Sequence, residues 1–448
     1  MEGLEISVVK LSEVNNQNRF DTDFYMKRYL INENQLLNKK HLYVSDYFTV
    51  TDGEHGSVEY LEHGVKYLTA ENIKNGFIDI SNIRYVSEDV DRHNKRASVN
   101  EGDILISIKG TLGQIAIAKA WIKPANMNRD IAIMKPKKQI IGLSEYLAIF
   151  LMTSMGEIQC SRGGSGGVQQ MITLERLRKF IIPSLSEDFY KEIKYKYDSS
   201  LHKLEESKSL YSQAEDLLLG ELGLKDWQPK NTLHTTKKFS DFAQSGRLDA
   251  EYYQPKYDEI EKELSKKTIL EISKVGQICD KNFTPLDNIE YKYIELADIG
   301  AYGEITGCTM AIGSELPTRA RRIIRKGDVL ISSIEGSLQS CAIVPKEFDN
   351  ALCSTGFYVM TPKKLNAESL LILLKSTVFQ LLLKKGCSGT ILTNISKDEF
   401  LKIKIPILPE SIQTKIASLI QQSFEYKAQS KQLLEDAKRM VEAEIEKN

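Results

Sequence analysis

No apolar run in the sequence approaches the roughly 18 residues that a membrane-spanning helix needs. The first residues, Met1-Glu2-Gly3-Leu4-Glu5, lack the basic start and apolar centre of a secretory leader. There is no Cys-x-x-Cys pair either: Cys160, Cys279, Cys308, Cys341, Cys353 and Cys387 are scattered. Together these shortages predict a cytoplasmic protein whose cysteines are reduced and serve as small buried apolar residues. An excess of one charge is missing as well. The 60 Lys and Arg against 61 Asp and Glu leave a net charge of −1, so a polyanionic partner would have to be met by local patches.

Signatures of catalysis are also missing. The sequence has no Gly-x-x-x-x-Gly-Lys-Ser/Thr loop, no strand-to-helix Gly-x-Gly-x-x-Gly, no His-Glu-x-x-His and no Gly-x-Ser-x-Gly elbow. The tract Gly163-Gly164-Ser165-Gly166-Gly167 has glycines but no lysine. His55 and His63 stand eight apart without cysteine partners, which fits turn histidines better than zinc ligands. Glu192-Ile193-Lys194 looks like the tail of a nuclease motif, but Ile193 falls on an apolar helix stripe, so its neighbours read as a solvated face. No catalytic residue and no metal ligand is expected in this chain.

What is present is a duplication. Gly102-Asp103-Ile104-Leu105-Ile106-Ser107 returns 225 residues later as Gly327-Asp328-Val329-Leu330-Ile331-Ser332. Each copy is a short apolar run between turn residues, as expected of a buried strand. Six further echoes keep the same order. Arg19 to Tyr25 matches Arg247 to Tyr253, and Lys66-Tyr67-Leu68 matches Lys292-Tyr293-Ile294. Asn75-Gly76 matches Tyr302-Gly303, and Ala132 to Pro136 matches Tyr358 to Pro362. Gly166-Gly167-Val168 matches Gly389-Thr390-Ile391, and Ile181-Ile182-Pro183 matches Lys404-Ile405-Pro406. A repeat of this kind outweighs any single motif as a fold signal.

Within each half, short alternating segments give way after the Pro to a long helical pattern. Apolar or aromatic residues recur at Phe189, Ile193, Tyr197, Leu201, Leu204, Tyr211, Ala214, Leu218 and Leu222, and again at Ile412, Ile416, Leu419, Phe424, Leu434, Ala437, Val441 and Ile445. Such spacing gives one apolar stripe per helix. Each helix would be roughly 55 Å long. The other helix is the obvious cover, as a coiled-coil-like pair; packing on separate proteins, or back onto each helix's own domain, are the alternatives. The fold class is therefore α+β, with two similar globular domains, each followed by a long helix. The segments are 1–184, the helix at 185–224, 225–407 with its leading linker, and the helix at 408–448.

The polar loops at the strand exits carry the functional signal. In the first half they offer Lys109, Thr111, Gln114, Asn128, Arg129, Arg162, Ser165, Gln169 and Gln170. In the second they offer Ser337, Gln339, Thr390, Thr393 and Asn394, with Arg322 and Arg325 in the basic run Arg319 to Lys326. Amides and guanidinium groups can read base edges bidentately, and basic residues with glycine backbone can meet phosphates. The halves share a framework and differ in these loops, as readers of two different sequences would.

The paired Gly-Asp strands, the Arg-x-Asp-x-Asp/Glu-Phe/Tyr-Tyr segments, the Ile-Pro exits and the helix after each resemble the specificity subunit of type I restriction–modification systems, over essentially the whole chain. That resemblance implies two target recognition domains held apart by helices pairing as an antiparallel coiled coil, each reading one part of a split, asymmetric DNA site. It implies a non-catalytic subunit partnered by double-stranded DNA, methyltransferase subunits and restriction subunits. S-adenosylmethionine, ATP and Mg would be used by those partners, with adenine methylation and cleavage carried out there; no cofactor is expected in this chain. The alternative is a helical scaffold with two protein-binding domains, which accounts for the helices and not for the Asn/Gln/Arg-rich loops.

Overall fold

A computed structural model describes residues 5–17, 19–164, 170–229, 234–388 and 393–447. The repeated Gly-Asp pair explains how each half is built. Gly102 and Gly327 take φ of +84° and +87°, a region that L side chains disfavour. The aspartate that follows turns back to close the bend: Asp103 accepts from Asn100 N and Asp328 from Arg325 N, both at 2.8 Å. The strands that start here, Ile104–Ser107 and Val329–Ser332, are buried along their whole length.

They are buried because each face meets a different core. Leu105 and Ile133 face one cluster, with Leu68, Met127 and Ile122. Ile104, Ile106, Ala132 and Met134 face another, with Leu147, Phe150 and Ile193. Each fully buried Ile or Leu contributes about 1.5–3 kcal/mol. A continuous apolar run is the sequence trace of a strand covered on both sides.

The chain forms two compact units, Met1–Leu204 with Ala428–Asn448, and Glu205–Lys427. In the first, the strands Phe48–Asp52, Ile131–Pro136, Ile104–Ser107 and Ile115–Ile117 lie side by side, all antiparallel. In the second, Gly276–Ile278, Phe357–Pro362, Val329–Ser332 and Cys341–Ile343 repeat that order and sense. A second sheet accompanies each. In the first unit Arg84–Val86 pairs antiparallel with Val65–Leu68, which runs parallel to Ala125–Met127. The second unit has the equivalent arrangement and one strand more, Ala320–Ile323, laid against Leu352–Ser354. The basic run seen in the sequence thus builds an edge strand.

The two long helices are Glu187–Leu222 and Glu410–Lys447. In the first unit Tyr190, Ile193 and Tyr197 share a core with Ala437, Val441 and Ile445. In the second, Tyr211, Ala214 and Leu218 share one with Ile416 and Ile420. Ser200 Oγ donates to Ser430 O (2.9 Å), and the two hydroxyls lie 3.1 Å apart. Seven residues on along one helix and seven back along the other, Ser423 Oγ donates to Ser207 O (2.8 Å). Rising numbers therefore meet falling ones, and the pair is antiparallel. The sequence set pairing against packing on the domains as alternatives; the helices do both. Tyr197, fully buried, donates its hydroxyl to Gly76 O (2.7 Å) and accepts from Ile117 N (3.2 Å). All six cysteines are free, and Cys279 and Cys308 are only half-buried. Among the described residues no helix is long and apolar enough to cross a membrane.

Candidate nucleic-acid interface

The turn after Ile104–Ser107 is held by segments distant in sequence. Ile108 N donates to Asp130 O (2.8 Å), and Ile172 N to Ile108 O (3.1 Å). Lys109 and Met171 form an isolated antiparallel bridge. Ser107 Oγ closes the turn by donating to Thr111 O and accepting from Gln114 N (2.9 Å). A further loop joins through Gly53, where a Cβ would lie 2.1 Å from Met127 O. Glu54 bridges Asn128, and Arg129 N donates to Glu54 O (3.0 Å). Lys109, Thr111, Asn128, Arg129 and Gln170 are thereby gathered at one end of the sheet, with Thr111, Arg129 and Gln170 exposed.

Local bonds orient these groups. Asn128 Nδ2 donates to Asp130 Oδ2 (2.9 Å), while its Oδ1 accepts from Asp130 N (3.1 Å). Lys109 Nζ lies 3.7 Å from Asp130 Oδ1. Two neighbours escaped the sequence reading. His55, weighed there only as a zinc ligand, has Nε2 2.8 Å from Asp52 Oδ2. Arg96 sits 3.5 Å from the other oxygen of Asp52 and donates to Gly53 O. The pairing of Asp52 with Ala132 and the tight approach of Gly53 bring them here, and neither is announced by spacing in the sequence.

Two other expected residues of the first unit turn their side chains away from this cluster. Gln114 Oε1 accepts from Asn75 N (3.2 Å). Arg162 is 8% exposed: its Nη1 is 2.8 Å from Glu33 and its Nε donates to Phe24 O (3.1 Å). It is turned inward, where a guanidinium can hold the fold and cannot reach a base. Ser165 and Gln169 lie outside the described residues.

The second unit repeats the backbone pattern with other side chains. Ser333 N donates to Gly356 O, and Ile395 N to Ser333 O, both at 2.9 Å. Ile334 bridges Asn394, and Glu335 N donates to Thr393 O (3.0 Å). Ser337, Thr393 and Asn394 are brought together, with Ser337 Oγ 3.0 Å from Ser332 Oγ. Gln339 turns toward a helix end: its Nε2 donates to Lys375 O (3.5 Å), Lys375 Nζ donates to the main-chain O of Gln339 (2.6 Å), and burial pushes the lysine pKa down. Arg325 lies at the opposite end of Val329–Ser332, in the bend that Asp328 closes. Arg322 stands opposite Cys353 on the edge strand, its Nε and Nη1 buried without a hydrogen-bond partner. Thr390 lies outside the described residues.

Two matching sheet-and-loop clusters in one chain agree with the comparison to known families. The family of type I restriction modification DNA specificity domains matches twice, over residues 50–193 and 261–438. The chain belongs to this family. A curated relative, the type I restriction enzyme EcoBI specificity subunit of Escherichia coli, is 26% identical over 133 residues, 30% of this chain and 28% of the relative. The match thus spans less than a third of that relative's length. Among solved structures, the S subunit of a type I restriction-modification system from M. genitalium is 12% identical with a TM-score of 0.43, covering 91% of this chain and 95% of that one. The HsdS subunit from Thermoanaerobacter tengcongensis is 14% identical with a TM-score of 0.30, at 91% and 95% coverage. Membership of a DNA specificity family does not favour the helical-scaffold alternative.

Proposed function

We propose that the chain is the specificity subunit of a type I restriction–modification complex, and that its two loop clusters read the two parts of an asymmetric DNA site. The observation that carries this is the pair of equivalent clusters with unlike side chains: Lys109, Thr111, Asn128, Arg129 and Gln170 in one, Ser337, Thr393 and Asn394 in the other. Identical readers would recognise a symmetric site; these are built to differ. Asn and Gln suit adenine, and Lys and Arg suit guanine or phosphate. Methyltransferase and restriction subunits supply the chemistry, with S-adenosylmethionine, ATP and Mg held by them. This chain supplies the address, in the cytoplasm.

Sequencing of methylated bases in cells with and without the gene tests this. Deletion is expected to erase adenine methylation at one split motif; an unchanged pattern would overturn the proposal. Exchanging residues 162–170 for those of a relative is expected to alter one part of the motif and leave the other. A heptad added to each of Glu187–Leu222 and Glu410–Lys447 is expected to lengthen the interval between the parts.

A further inference from the structure

Each unit holds a cavity built from the same repeat positions. The first has about 460 Å³ and is bounded by Glu33, Arg162, Gly163, Arg176 and Lys179. The second has about 120 Å³ and is bounded by Glu261, Lys385, Gly386, Glu399 and Lys402. Arg162 and Lys385, Gly163 and Gly386, Arg176 and Glu399, and Lys179 and Lys402 all stand 223 residues apart. The cavities are therefore counterparts, and one position has reversed its charge.

Ion pairing shows what the reversal does. In the second unit every cation at these positions has a carboxylate: Arg247 grips Asp249 (2.6 and 2.7 Å), Lys385 meets Glu261 (2.5 Å) and Lys402 meets Glu399 (3.1 Å). The first unit matches pair for pair, with Arg19 on Asp21 (2.5 and 2.6 Å), Arg162 on Glu33 (2.8 Å) and Lys179 on Glu175 (2.7 Å). Arg176 is left over. Its guanidinium lies 4.1 Å from the centroid of the Phe24 ring, a ring that Arg162 (4.2 Å) and Arg19 (5.0 Å) also approach. Its side chain donates to the Gln17 amide oxygen (3.0 Å), and among the described residues no carboxylate pairs with it. Burial, with Arg162 and Arg19 close by, pushes Arg176 down to about 10; Glu33 and Glu175 offset this only in part. A half-buried guanidinium with no carboxylate in contact, beside an open cavity, is suited to meet an anion.

We propose that this cavity of the first unit binds a phosphate group through Arg176, and that the group is a backbone phosphodiester of the DNA. The choice of DNA rests on the function proposed above. It is favoured by continuity: Gln170 and Met171 belong to the reading cluster through the Lys109 bridge, and Arg176 follows five residues after Met171 on the short helix Leu174–Arg178. A planar guanidinium fork suits a phosphate better than a point charge does. A phosphate held there would fix the register of the loops without reading sequence.

Calorimetric titration of the full chain with inorganic phosphate is the first test. One site is expected, weakened about tenfold or more by Arg176→Gln and retained by Arg176→Lys. No binding by the unaltered chain, or equal binding by Arg176→Gln, overturns the site. The second test is a salt series of duplex binding by the full chain with its methyltransferase partner. Arg176→Gln is expected to lower the slope of log affinity against log salt by about one and to weaken all sequences alike. Loss of phosphate binding with an unchanged slope overturns DNA as the ligand and assigns the cavity to free phosphate or to an acidic group of a partner protein. If the unaltered complex binds no duplex, the DNA function itself falls, and the phosphate titration still decides the site.

Discussion

At one point in each repeat the chain makes the same bridge with opposite chemistry. In the first unit it joins Lys109 to Met171; in the second, Ile334 to Asn394. The flanking bonds correspond donor for donor: Ile108 to Asp130 and Ile172 to Ile108 in one, Ser333 to Gly356 and Ile395 to Ser333 in the other. Main chain is held constant where side chains vary. A backbone that makes its own hydrogen bonds needs no particular side chain to keep its path, so the outward groups are free to diverge.

The comparison can be broken first at the helices. Tyr197 and Ile420 occupy equivalent positions 223 apart, both buried, and only Tyr197 also bonds the backbone of its domain. Tyr197→Ala is expected to lower stability by about 3–5 kcal/mol and Ile420→Val by about 0.5–1.5 kcal/mol, as read from denaturant unfolding. Equal losses would show that the tyrosine anchor carries no extra weight. Next come the serine layers. Leucine at Ser200 or at Ser423 is expected to cost about 1–3 kcal/mol through overpacking, and the two costs should agree, because the layers are copies. At the reading loops, Asn128→Ala is expected to relax base preference in one half of the site by about 1–3 kcal/mol, measured by competition among duplex variants; an equal change in both halves would merge the readers. The smallest effect is Arg129→Ala, which should reduce the salt slope by about one and leave sequence preference unchanged.

Much of the fold was legible in the order of residues because the duplication is carried by backbone devices with fixed residue demands. Gly102 and Gly327 must accept positive φ, and Asp103 and Asp328 must close the bend. The long helices showed in their apolar period. Their serine contacts did not, since a search for apolar residues passes over small polar ones that happen to be buried, such as Ser200, Ser207, Ser423 and Ser430. The loops showed as loops, but the direction of each side chain is set by partners far along the chain. Arg162 turns inward because Glu33 and Phe24 wait there, and Arg325 is separated from Ser337 by the length of a strand. Neither distance is visible in spacing. Arg176 gives no signal in the sequence because its contacts, the Phe24 ring and the Gln17 amide, lie far along the chain.

The serine layers recur at an interval of seven on both helices, Ser200 to Ser207 and Ser423 to Ser430. A seam with that rhythm accepts new material in whole heptads: seven residues in each rod bring small side chains opposite one another again, while three or four set a serine against a bulky neighbour. Length in such a seam is quantised, and helices built on it change in discrete steps instead of by drift.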